Sequence, residues 1–126
     1  MNKLSIKRRS SEPLDLDDGF VYVLRELQGE DSAEYTMARM GFVKMSKEIM
    51  DDPEAALKAD PELVKGAIRS KAKTDTLLIS LCLYRQKEDG EERVTEAEVR
   101  QFPSRAIEEL VALIEELDKR DEDPKG

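Results

Sequence analysis

At 126 residues with 39% hydrophobic content, the chain can bury one small core and not two. Its 29 acids against 21 bases give a net charge of −8 and a pI near 4.7, which disfavours nucleic-acid binding through a broad basic surface. Histidine is absent, which removes the usual acid–base catalyst, the triad base and the commonest zinc ligand together.

Residues 1–13 are polar and basic and read as a flexible leader. Lys3, Lys7, Arg8 and Arg9 are followed by Ser, Glu, Pro and Asp instead of the apolar h-region of a signal peptide. Arg8-Arg9-Ser10-Ser11 has the form of a basophilic kinase site, but a string this short arises readily by chance. Next, Asp18-Gly19 is a tight-turn signal between apolar stretches, and residues 20–24 are rich in β-formers, so a short hairpin is expected. Asp15, Asp17 and Glu26 occupy the first, third and twelfth places of an EF-hand loop. Gly19 and Phe20 fall where a ligand and the obligatory glycine should stand, so the acids read as turn chemistry.

Gly29-Glu30-Asp31-Ser32 supplies N-cap candidates for a helix over residues 33–50. Its core stripe is Tyr35, Ala38, Phe42, Met45 and Ile49. Gly41 lies inside it, either at a cost of about 1 kcal/mol relative to alanine or to allow close packing. The four methionines at 37, 40, 45 and 50 read first as core filling, with Met45 on the stripe; the alternative is a binding surface, for which Met37 and Met40, off the stripe, are the candidate partner-binding residues. Asp51-Asp52-Pro53 ends the helix, residues 54–58 can form one turn, and Asp60-Pro61 starts another helix with Asp60 as N-cap. The spacing of Val64, Ile68, Ala72, Ile79 and Leu83 lets that helix run through to Tyr84, with Thr74-Asp75-Thr76 as the point where it could break. A strand at residues 77–83 competes with it, because a short apolar run cannot be typed by periodicity alone.

Thr76-Leu77-Leu78-Ile79-Ser80-Leu81-Cys82-Leu83-Tyr84 is the longest uncharged run in a chain that is 40% charged, and the core should be built on it. Cys82, the single cysteine, reads there as an inert buried thiol. A charged, Gly-containing turn at residues 85–93 follows. Thr95-Glu96-Ala97-Glu98 has capping-box form and should open a short helix. Pro103-Ser104 restarts the chain into a last amphipathic helix, with Ile107, Leu110, Val111, Ile114 and Leu117 on one face and Glu108, Glu109, Glu115 and Glu116 on the other. Residues 118–126 read as a disordered charged tail. The expected fold is mostly α: a leader at 1–13, one mainly helical domain at 14–117 with a short N-terminal β-hairpin, and disordered ends.

No phosphate-cradling glycine loop is present and no histidine can activate Cys82, so the sequence reads as non-enzymatic, without cofactor or metal. No run approaches the 18 apolar residues of a membrane span.

The order of features over residues 20–117 resembles the tail assembly chaperones of long-tailed, siphovirus-like bacteriophages. The points of likeness are Phe20-Val21-Tyr22-Val23-Leu24-Arg25 leading through Leu27-Gln28-Gly29-Glu30-Asp31 into a helix, and an apolar helix ending at the acidic Glu88-Asp89-Gly90-Glu91 turn. An acidic segment around residues 95–99, a Phe102-Pro103 step and the closing Ile107-Glu108-Glu109-Leu110-Val111 helix follow. The resemblance implies a helper in the host cytoplasm, absent from the mature virion, that coats the tape measure protein and helps recruit tail tube subunits. It implies no direct nucleic-acid or membrane partner. Such proteins are commonly made in two lengths by frameshifting, and Asp123-Pro124-Lys125-Gly126 can be encoded by a slippery heptanucleotide. Two other readings stand beside it: an acidic DNA mimic that inhibits a nucleic-acid-binding partner, and a structural subunit of a phage particle. Mimicry needs an unbroken acidic stripe, which Lys58, Lys65, Arg69, Lys71 and Lys73 interrupt.

Overall fold

The computed structural model describes residues 5–119, so the first four residues of the expected leader and the tail from residue 120 onward, with its proposed frameshift site, lie outside the described residues. Along the chain run β1 (Leu14–Asp15), β2 (Val21–Leu24), α1 (Gly29–Asp51), α2 (Pro53–Ala59), α3 (Pro61–Cys82), β3 (Leu83–Lys87), β4 (Gly90–Arg93), α4 (Glu96–Val99) and α5 (Ser104–Lys119). The chain is mostly helical, with one antiparallel sheet in the order β1-β2-β3-β4.

The expected hairpin is present, with Leu14 opposite Tyr22 and Asp15 opposite Val21. Its loop passes through the left-handed region at Asp17 (φ 62°) and Gly19 (φ 86°). The Asp15 carboxylate accepts the Asp17 N–H at 2.8 Å, and Asp18 accepts the Phe20 N–H at 3.1 Å. Two of the local acids are thus engaged in the turn itself.

The sheet, however, is larger than a hairpin. The helix expected to run through Tyr84 stops at Cys82, and Leu83 turns to extended backbone (φ −96°, ψ 125°) while its N–H still bonds Ile79 O. From there the chain forms β3, between β2 and β4. The supposed charged turn is mostly strand, with only Glu88 and Asp89 at its tip and Gly90 at φ 136°. Charge hid these strands. Arg85 pairs with Glu92 at 3.4 Å, Lys87 also meets Glu92, and the Gln86 amide reaches Glu91 at 3.2 Å. Such cross-strand pairs let a half-solvated sheet be built from residues that carry little β signal.

Part of the supposed leader extends that sheet. Ser10 bridges to Arg25, Ser11 N–H donates to Leu24 O at 2.7 Å, and Glu26 N–H donates to Arg9 O at 2.8 Å. The Ser11 hydroxyl accepts the Leu24 N–H at 2.9 Å. These bonds hold residues 9–11 against β2, where flexibility was expected.

Among the helices, α1 starts earlier than the cap signals suggest, with Gln28 in the N-cap position and Glu30 and Asp31 in its first turn. Asp60 caps α3 as expected, its side chain accepting the Leu63 N–H at 3.1 Å ahead of Pro61. Thr74-Asp75-Thr76 does not break α3, because the helix's own carbonyls take the hydroxyls: Thr74 donates to Ser70 O at 2.7 Å and Thr76 to Lys73 O at 2.9 Å.

The face of α3 needs a correction. Ile68, placed on the core stripe by spacing, is 65% exposed, and Ala67 is buried in its stead. The inner face of α3 continues through Ser70 and Thr74, which lie beside Ala38 of α1. These small residues let α1 and α3 pack side by side, with a cleft of about 280 Å³ left between them, without registering as an apolar stripe.

Thr95 caps α4 through the Glu98 N–H at 3.2 Å, and α5 buries Leu110, Ile114 and Leu117 as its period requires. The core joins Tyr22 and Leu24 of β2 to Leu78, Ile79 and Cys82 of α3, Leu83, Val94, Val99, and Leu110 and Ile114 of α5. Asp118 and Lys119, assigned to the tail by charge, complete the last helix.

Candidate interaction surface

α1 lies along α3 with Tyr35, Ala38, Phe42 and Ile49 at least half-buried, as their three- and four-residue spacing requires. At 100° per residue, Met37, Met40 and Val43 fall on the far side of the helix. They are 75%, 66% and 51% exposed, a contiguous apolar stripe on a helix whose opposite face is already packed. Met37 and Met40 were singled out by their phase and stand side by side here. Val43 was not, although the same periodicity contains it. A shallow groove of about 400 Å³ shares Met40 and Val43 with the stripe and is lined as well by Tyr35, Thr36, Arg39 and Lys44. Gly41 is not a close-packing glycine, because a Cβ there would meet nothing within 4 Å.

The charge around this stripe differs from that of the rest of the chain. From Tyr35 to Lys47 the sequence is Tyr-Thr-Met-Ala-Arg-Met-Gly-Phe-Val-Lys-Met-Ser-Lys, without one acid, in a chain with 29 of them. Arg39 falls on one side of the Met40–Val43 line and Lys44 on the other. Among the described residues, Arg39, Lys44 and Lys47 have no ion-pair partner. That acid-free stretch was the sequence signal that could have identified the whole surface.

The sheet carries two arginine clusters of a different kind. On one side Tyr84 is crowded by Arg8, Arg25 and Arg93, their guanidinium carbons 5.4, 5.9 and 6.0 Å from its ring centre. Burial pushes the Tyr84 phenol up, but hydrogen bonds from Arg8 and Arg93 outweigh it and hold the group below its usual value. Arg8 also donates to Glu26 O at 2.7 Å, Arg25 binds Glu91 at 2.8 Å, and Arg93 binds Asp31 at 2.9 Å. Among the described residues Arg8 Nη2 is buried without a hydrogen-bond partner, a cost that cation–π attraction to Tyr84 offsets in part. On the other side Arg85 lies over Phe20 and Tyr22 and binds Glu98 at 2.6 Å. The Tyr22 hydroxyl donates to Asp18 at 2.5 Å and accepts from Arg85 at 3.1 Å. Burial and then the Asp18 bond raise the Tyr22 pKa, while the bond from Tyr22 lowers that of Asp18.

These networks pair nearly every charge they contain, which suits them to fixing the leader, α1 and α4 to the sheet. The α1 face is the reverse, with apolar and cationic groups turned to solvent. Cys82 is fully buried, and burial pushes its thiol up to about 12, so it stays a protonated core group at neutral pH. No helix among the described residues is long and apolar enough to cross a membrane. Comparison with protein-family models, curated proteins and solved structures found no match to this chain.

Proposed function

We infer that the chain is a non-enzymatic tail assembly chaperone of a long-tailed bacteriophage, acting in the host cytoplasm to hold the tape measure protein and help recruit tail tube subunits. The observation that carries the reading is the exposed Met37–Met40–Val43 stripe on α1, set on a domain whose core is complete without it. A tape measure protein is a long helical ruler, and exposed apolar helices need such a cover to stay soluble. Methionine suits the task, because its unbranched, polarisable side chain repacks against varied apolar ridges. The layout of residues 20–117 supports the same reading, and so does the acidic remainder of the surface, which keeps a loaded chaperone in solution.

Co-expression tests it. The tape measure protein encoded beside this chain should be insoluble when made alone, and soluble and co-purifying when the two are made together. If it remains insoluble with the chain present, the chaperone reading is wrong.

A further inference from the structure

We propose that the α1 groove selects an amphipathic α-helix whose apolar ridge is bordered by carboxylates, so that this acidic protein recruits an acidic helix. The proposal deepens the chaperone reading, resting on it only for the idea that the occupant is helical.

At net charge −8 the protein as a whole should attract cations. The groove is the local exception. Met40, Val43, Arg39 and Lys44 line it with Tyr35 and Thr36, Lys47 follows one turn after Val43, and no acid occurs between Tyr35 and Lys47. A carboxylate brought to those cations on docking displaces no internal partner, because among the described residues they have none. Between Tyr35 and Lys47 a lysine-bordered helix would meet three cations and no carboxylate, and like charges across an interface disfavour the wrong partner.

The shape favours a helix as occupant. The line from Met37 through Met40 to Val43 covers nearly two turns, roughly 9 Å at 1.5 Å per residue, close to the length over which one helix presents an i, i+3, i+7 ridge to another. An anionic bilayer is the rival occupant for an apolar and basic helix face. It would need a broader apolar strip than three residues backed by an acidic domain.

Two synthetic helical peptides with identical leucine ridges, one bordered by glutamates and the other by lysines, test the proposal against the full chain. In fluorescence anisotropy at low salt the glutamate peptide should bind roughly tenfold more tightly than the lysine peptide, and the advantage should shrink as salt rises. The methyl signals of Met37 and Met40 should shift on binding. Arg39→Glu combined with Lys44→Glu, both solvent-side changes, should invert the preference. Equal binding, tighter binding of the lysine peptide, or methyl shifts confined to other methionines would overturn the proposal. So would binding to vesicles of anionic phospholipid with neither peptide bound. The two readings fail separately. A glutamate preference with an insoluble tape measure protein removes the chaperone function and keeps the groove chemistry, whereas a solubilised tape measure protein without that preference does the opposite.

Discussion

Tyrosine shows at the scale of single residues how packing sets chemistry in this protein. Its three tyrosines are sequestered by different neighbours: burial dominates at Tyr35, burial and the Asp18 carboxylate act together at Tyr22, and two guanidinium donors act at Tyr84. Absorbance titration at 295 nm, with circular dichroism to follow folding, should therefore show Tyr84 ionising below pH 10 and the other two above it. Arg8→Gln should move the early transition upward, since it removes one donor that stabilises the phenolate. A single transition of all three at the ordinary value would contradict the arginine cluster. None of this was legible in the sequence, where Arg8 lies 76 residues from Tyr84 and reads as part of a flexible leader.

The helices were the most legible elements, because caps and periodicity are local signals. Asp60-Pro61, Thr95 to Glu98 and the α5 stripe all appear where residue chemistry puts them. β3 and β4 were not, because their residues are mostly charged or polar and the hairpin they form joins the sheet through β2, some 60 residues before β3. The α3 phase was misread for a related reason: Ala67, Ser70 and Thr74 face inward as small spacers, whereas Ile68 faces water. Equilibrium unfolding separates the two sides of that helix. Leu81→Ala, at a buried site, should cost about 2–5 kcal/mol, and Ile68→Ala should stay within about 0.5 kcal/mol of wild type. Comparable losses would mean that the assigned face is wrong. Gly41 gives a prediction of opposite sign. With ordinary helical backbone and empty space beside it, Gly41→Ala should stabilise the domain by about 0.5–1 kcal/mol. Destabilisation would show that something packs against that side of α1.

For the molecule as a whole, the sheet, α3 and α5 form the core, the leader and arginine clusters tie the outer elements to it, and α1 offers one face to that assembly and the other to solvent. The sequence placed Met37 and Met40 off the core stripe by phase alone. It did not show the groove, which depends on α1 docking on α3 by its opposite side. A surface separable from the core is the central claim, and paired stability and client measurements on Met37→Asp with Met40→Asp test it most directly. Both positions are more than half exposed, so the double variant should unfold within about 1 kcal/mol of wild type. It should nevertheless leave a co-expressed tape measure protein insoluble. A variant that keeps its client as well as wild type does, or one that loses several kcal/mol of stability like a core mutant, would contradict the account.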